Sequence, residues 1–130
     1  MWTYQGNPFD EIPEDIKSFV YIITNKTNNK KYVGKKTFTF AKTKQIKKKK
    51  KRFRVASDWQ LYYGSNNQLK HDVELLGREN FDREILHLCK TKGTANYLEA
   101  HEILSRHAIV SEEYYNQWLS VKVSRSQIKL

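Results

Sequence analysis

Long apolar runs are missing from this chain of 130 residues. No stretch approaches the ~20 consecutive apolar residues of a helical membrane span. The start Met1-Trp2-Thr3-Tyr4 lacks the charged-then-apolar order of a secretion signal, so residence in the cytoplasm, with no membrane partner, is expected. Cysteine is nearly absent. Cys89 alone cannot close an intramolecular disulfide and has no Cys or His at metal-finger spacing, which argues against structural zinc and for a reducing compartment, with Cys89 a core thiol. Acidic charge is scarce: 14 Asp and Glu stand against 24 Lys and Arg, a formal net charge of +10. Such a surface attracts polyanions, with nucleic acid the leading candidate partner and a generally basic soluble protein the lesser reading, and chemistry decides between the two.

What is present falls into a simple order. Both prolines, Pro8 and Pro13, lie in residues 1–18 with Asp10, Glu11, Glu14 and Asp15, and this segment reads as an extended lead-in, ordered only where it docks. Residues 19–130 read as a single α+β domain. The apolar run Phe19 to Thr24, the turn cluster Asn25-Lys26-Thr27-Asn28-Asn29 and the resumption Lys31-Tyr32-Val33-Gly34 predict a hairpin that brings Tyr21 near Tyr32. A basic insert at about 35–54, with the unbroken run Lys47 to Arg52, repels itself and reads as a solvated, mobile loop that an anionic backbone would order. Further on, Trp59 to Tyr63 predicts a short helical turn ended by Gly64. Ser65 is expected to cap a helix carrying Leu69, Val73 and Leu76, and Gly77 to stop it. Phe81 to Leu88 reads as a third strand. A helix capped at Thr94 carries Leu98, Glu99, Glu102, Ile103 and Arg106, and a short helix or turn is expected at Tyr114-Tyr115-Asn116.

Breaking a phosphodiester needs a base to prepare water, positive charge where the intermediate gathers negative charge, and help for the departing oxygen. Tyr21 and Tyr32 on adjoining strands, Lys35, Lys42 and the helical carboxylate Glu99 are candidates for these tasks. One acid suffices for a hard cation that keeps most of its water. Each residue also has an ordinary reading. The tyrosines can be strand-packing residues, and Glu99 a surface acid pairing with Arg106 or Lys92, with Glu102 its nearest rival. Trp59, Tyr62 and Tyr63 can stack on bases or anchor a core. His71, His87, His101 and His107 show no paired ligand spacing.

At these residues the chain resembles the GIY-YIG nuclease superfamily, in particular small phage-type members related to the Seg homing endonucleases. The resemblance is carried by Phe19-Val20-Tyr21, Tyr32-Val33-Gly34-Lys35-Lys36, Ser57-Asp58-Trp59 with Tyr63-Gly64-Ser65, Phe81 to Leu86, Asn96-Tyr97-Leu98-Glu99 and Tyr115-Asn116, and it spans nearly the whole chain. It implies a small three-stranded antiparallel sheet flanked by helices, and hydrolysis of DNA, expected to be double-stranded, with one divalent ion, Mg²⁺ or Mn²⁺. Residence would then be the cytoplasm of a bacterial or phage-infected host cell.

By the same resemblance Tyr21 is the general base, Tyr32 positions water or phosphate, Glu99 is the metal ligand and Asn116 supports the site. A phenol with an ordinary pKa near ~10 needs neighbouring cations to act as a base at neutral pH, and Lys35 is the expected one. Two departures stand out. Phe19 occupies a family glycine. Lys42 occupies the place of a family arginine, keeping the charge but losing the planar grip on phosphate, a role open to Arg52 or Arg54 if the basic segment folds back. Lys36, Arg52, Arg54 and Trp59 are the expected nucleic-acid contacts. The alternatives are a weakened or inactive DNA-binding module on the same scaffold, and an RNA-directed nuclease. Oligomeric state is open, a transient dimer on DNA being one arrangement.

Overall fold

The run Ser18–Asn25 is apolar on both of its faces, the pattern of a strand covered from two sides, and it lies inside a five-stranded sheet with seven of its eight residues buried. The computed structural model describes residues 1–130, the side chain of Ile46 excepted. In chain order the elements are β1 (Trp2–Tyr4), β2 (Asn7–Pro8), β3 (Ser18–Asn25), β4 (Lys30–Thr37), β5 (Thr39–Ile46), β6 (Lys49–Ala56), α1 (Asn67–Leu76), β7 (Phe81–Cys89) and α2 (Lys92–Ser105), with single 3-10 turns at Trp59–Leu61, Arg78–Asn80 and Arg125–Gln127. No helix among the described residues is long and apolar enough to cross a membrane.

The α+β class is as expected, and β4, β3 and β7 are the three antiparallel strands read from the sequence. The sheet is larger than that reading, with order β2-β1-β7-β3-β4 and β1 parallel to β7. The lead-in supplies the extra strands. Its anchor is Trp2, only 1% exposed, whose indole Nε1 donates to the Trp59 carbonyl at 2.7 Å. Burying an indole contributes about 4–6 kcal/mol, enough to offset the ordering of a few residues at about 1–2 kcal/mol each.

Alternation along β3 divides the core in two. Phe19, Tyr21 and Ile23 join Trp2, Phe38, Trp59, Leu69, Val73 and Ile85 on one face, while Val20 and Ile22 join Val33, Cys89, Ala95, Ile103 and Ala108 under α2. Cys89 is a buried free thiol, its pKa pushed up to about 11 by burial. Between Val20 and Tyr21 the pairing with β7 skips Leu86, a bulge that sets His87 opposite Val20 on the α2 side.

Several local expectations shift by a residue or an element. The cap of α1 is Asn66, whose side chain accepts from Leu69 N at 2.9 Å, rather than Ser65. Gly77 ends that helix as expected. Thr91, not Thr94, caps α2, so the helix takes in Lys92 and Gly93, and Thr94 is buried within it. Tyr114-Tyr115-Asn116 forms no helix. Instead Tyr114 bridges Lys31 in parallel, Tyr115 N donates to Lys31 O at 2.7 Å, and Lys31 N donates to Glu113 O at 2.9 Å. This tail covers the outer edge of β4, an edge that would otherwise present unpaired backbone groups.

The basic insert is a hairpin, not a loop. β5 and β6 pair with each other over their full length, outside the main sheet. Their connection uses Lys47 (φ 49°) and Lys48 (φ 64°), the left-handed pair that a two-residue hairpin turn requires. Phe38, fully buried, ties the hairpin base to the core, its N donating to Lys17 O at 2.9 Å and its O accepting from Ser57 N at 2.8 Å. Backbone pairing holds strands here with apolar alternation only at the hairpin base, Phe40 with Phe53 and Val55.

Candidate active site

Register on the β3–β4 hairpin sets the geometry of the two tyrosines. Tyr21 lies opposite Gly34 and Ile23 opposite Tyr32, so Tyr21 and Tyr32 share a face as diagonal neighbours with ring centroids 6.2 Å apart. The Tyr21 ring passes over Gly34, where a Cβ would run into its hydroxyl, so glycine is the residue that admits it. Tyr21 is completely buried, and its hydroxyl has no hydrogen-bond partner among the described residues. Burial above all, and then Tyr62, Tyr32 and the Glu99 carboxylate, hold its pKa well above the ordinary phenol value.

Tyr32 projects to the outer edge of the same face, where its hydroxyl shares a 3.0 Å hydrogen bond with Ser65. That contact depends on Gly64. With φ of 90° it turns the chain tightly, and a Cβ there would press on Leu69 and crowd the Tyr32 ring. Burial raises the Tyr32 pKa, partly opposed by Ser65.

Lys35 is one step out of phase with Gly34 and so emerges on the α2 side of β4. There its Nζ lies 3.9 Å from Glu99 Oε1 and donates to the side-chain oxygen of Asn96. Asn96 and Glu99 are three residues apart on α2 and therefore share a face. Glu99 is mostly buried and accepts no hydrogen bond among the described residues; burial raises its pKa, with Lys35 pulling the other way. Glu102, the rival acid, is occupied by His87 Nε2 at 2.8 Å and Arg106 Nε at 2.9 Å.

Because β4 is the edge strand, groups from its two faces meet around its rim. Tyr32, Lys35, Ser65, Glu99, Asn116 and Trp118 line one cleft of about 270 Å³. Tyr21 is next to Tyr32 but does not line it. Asn116 is 6% exposed and clamps Val33, its Oδ1 accepting from Val33 N at 3.0 Å and its Nδ2 donating to Val33 O at 2.8 Å. It shapes the wall of the cleft.

The remaining expected residues lie elsewhere. Lys36 faces away from Lys35, with Nζ 2.6 Å from Asp58 and 4.2 Å from the centre of the Tyr62 ring. Lys42 and Arg52 are on the β5–β6 hairpin. Arg54 is too, and its guanidinium is engaged by the hydroxyl and carbonyl of Thr39 at 2.8 and 2.9 Å. None of the three lines the cleft, because pairing within the hairpin prevents the basic segment from folding back. Trp59 is a core residue, 5% exposed, with Phe38 edge-on to its ring at 5.0 Å, so no face is left for a base. Sequence reasoning gave no site role to Asn96, Ser65 or Trp118. The first is detectable by its helical spacing from Glu99, and Trp118 only as an aromatic two residues beyond Asn116.

The edge-strand cleft thus presents a tyrosine, a lysine and a helical carboxylate, and behind it a second tyrosine packs on a glycine, in an α+β fold. The family model described as "Putative endonuclease segE, GIY-YIG domain" matches residues 2–119, and the chain belongs to this GIY-YIG endonuclease family. It is 34% identical over 98 residues to the "Putative endonuclease segE" of Enterobacteria phage T4, a match covering 75% of this chain and 39% of that protein. The chain thus spans about two fifths of the length of that curated relative. No solved structure matches it.

Proposed function

We propose that the chain is a metal-dependent endonuclease that hydrolyses phosphodiester bonds of double-stranded DNA. The observation that carries this reading is the convergence of Tyr32, Lys35 and Glu99 on one cleft. The net charge of +10 draws the backbone in. The Lys35 ammonium and the Tyr32 hydroxyl meet the non-bridging oxygens of one phosphate from the two sides of β4, and hydrogen bonds and positive charge there favour the pentavalent state, in which negative charge accumulates.

Metal binding rests on chemistry that suits this site. Glu99 is a carboxylate without hydrogen-bond donors in a polar cleft, and Mg²⁺ or Mn²⁺ is commonly held by one or two carboxylates together with water and substrate phosphate. No cluster of three or more His, Cys, Asp or Glu occurs among the described residues, which favours that sparse mode over an all-protein cage. The ion would polarise the phosphoryl group and assist the departing oxygen. Water attacks phosphorus, the P–O ester bond breaks, and the leaving oxygen takes a proton from solvent water. Tyr21 is the candidate to receive the proton of the attacking water, and its burial makes this the most demanding step at neutral pH.

A second reading, a DNA-binding module without turnover, is favoured by one observation: no arginine lines the cleft among the described residues. Supercoiled plasmid incubated with Mg²⁺, with Mn²⁺ and with EDTA separates the two. Nicked product with metal, lost in EDTA and in Glu99→Ala, is expected. Absence of nicking with either ion would leave the binding module, and undiminished nicking by Glu99→Ala would remove that residue from the site. Parallel digestion of an RNA of matched length tests substrate class. The working place of such an enzyme is the cytoplasm of a bacterial or phage-infected cell.

A further inference from the structure

From Lys35 to Ser57 the chain contains no acidic residue, and most of that span is the β5–β6 hairpin. Pairing register sorts its cations onto both faces. Lys42 and Lys44 lie opposite Phe53 and Lys51, while the alternate positions set Thr43 opposite Arg52 and Gln45 opposite Lys50. A hairpin meant to pack on its own protein has one apolar face. Here Phe40 and Val55, with Phe53 in phase, cover only the base of one face, and the residues Lys42 to Arg54 are exposed on both sides, the undescribed Ile46 side chain apart.

The arrangement is costly in the free chain. Lys44 and Lys51 sit directly across from each other, a like-charge cross-strand pair that opposes the ladder. The two left-handed turn positions hold Lys47 and Lys48, where Asn-Gly or Gly would be unstrained. The electrostatic cost falls when phosphates surround the ribbon. Each strand has eight residues, so the ribbon is ~25 Å long at ~3.3 Å per residue. The major groove of B-DNA, ~12 Å wide and ~8.5 Å deep, admits a two-stranded ribbon, and its phosphate walls stand on both sides. The minor groove, ~6 Å wide, takes protein strands chiefly where the duplex is bent or widened, and methylation interference separates the two grooves.

We infer that the β5–β6 hairpin is a recognition ribbon that enters the major groove of duplex DNA, its cations engaging the backbones on either side. Phe53, 43% exposed beside Lys42, supplies an apolar contact of the kind thymine methyl groups accept. This deepens the nuclease reading by naming how its substrate is held, and rests on it for the choice of DNA.

Binding of the full chain is measured in EDTA, so that cutting plays no part. Duplex and single strands of one sequence are compared, and the duplex is premethylated at guanine N7, in the major groove, or adenine N3, in the minor groove. N7 methylation is expected to block binding over part of the site, and N3 methylation to leave that part unaffected. Two variants localise the effect. One replaces residues 43–52 by Asn-Gly. The other, Lys44→Gln with Lys51→Gln and Arg52→Gln, keeps the backbone in case the first misfolds. Both are expected to lose the N7 interference and at least tenfold in affinity, and the triple variant to reduce the slope of log K against log salt by roughly 0.9 per phosphate contact removed. Unchanged affinity and N7 pattern in the triple variant, interference at N3 alone, or equal affinity for single strands would overturn the inference. Plasmid nicking is scored separately. A wild-type protein that binds with N7 interference yet never nicks fails the nuclease reading alone, and one that nicks with the hairpin irrelevant fails this inference alone.

Discussion

Asn116 holds the main chain of Val33 at both of its polar groups, accepting from the N–H at 3.0 Å and donating to the C=O at 2.8 Å. A side-chain amide thus stands in for the neighbouring strand that β4 lacks on its outer edge. Asn116→Ala leaves two buried groups unpaired, and each costs about 1–3 kcal/mol. The expected loss is about 2–6 kcal/mol, read as a lower denaturant midpoint. Asn116→Asp keeps the acceptor but turns a carboxylate oxygen against Val33 O, and is expected to be no better than alanine. If either variant unfolds like the wild type, the clamp has no structural weight.

Tyr21 offers a cleaner separation of stability from activity. Its hydroxyl is buried without a partner, and such a group costs about 1–3 kcal/mol. Tyr21→Phe is therefore expected to be as stable as the parent or about 1 kcal/mol more stable, while nicking falls by at least tenfold. A stabilised variant with full activity would show Tyr21 to be a core residue and nothing else.

Every influence resolved on Tyr21 raises its pKa. If the Tyr21 phenolate receives the proton, the fraction in that form grows tenfold per pH unit, and nicking is expected to climb with pH beyond 9 without a plateau. A plateau near neutrality, measured with metal saturating throughout, assigns the proton to another group.

The legible part of the fold was the part with apolar rhythm. Phe19 to Thr24, Tyr32 to Gly34 and Phe81 to Leu88 alternate or run apolar, and the strands formed there. The N-terminal strands were hidden because β1 has three residues and depends on one indole finding a distant carbonyl, Trp59 O. The basic hairpin was hidden because its only apolar alternation, Phe38/Phe40 and Phe53/Val55, lies at its base, and the lysine run between gives no period-two signal. At the site, Tyr32, Lys35, Glu99 and Asn116 do meet. The expected help of Lys35 for Tyr21 is not seen: one residue of strand phase sends Lys35 to the opposite face, where Glu99 and Asn96 hold it.

That pairing predicts the acid behaviour of Glu99. Burial raises its pKa and the Lys35 cation lowers it. Removing the cation in Lys35→Met leaves burial unopposed, so the carboxylate ionises only at higher pH. The ¹³C titration of the Glu99 carboxyl is expected to shift upward in pH, and Mg²⁺ binding to fall more steeply between pH 7 and pH 5 than in the parent. A downward shift or none would mean that Lys35 does not act on Glu99 in solution.

Arg83 joins the N terminus to the aromatic segment beside the tyrosines. It is 6% exposed, and its Nη1 donates to Gln60 O at 3.0 Å and Tyr62 O at 2.8 Å. Its guanidinium lies 4.6 Å from the ring centre of Trp2 and 4.1 Å from that of Tyr63. Lysine supplies the charge but not the flat group that stacks between two rings while reaching two carbonyls. Arg83→Lys is expected to cost about 2–3 kcal/mol, from weakened bonds to charge and lost stacking, and Arg83→Ala more. Since Tyr62 packs edge-on against Tyr21 with ring centroids 5.9 Å apart, nicking should fall with stability. Fluorescence reports the loosening, because Trp2 and Trp59 are both buried and are expected to shift to longer wavelength as β1 detaches. A lysine variant with native emission and native denaturant midpoint would show that the backbone of residues 59–63 holds its course without Arg83.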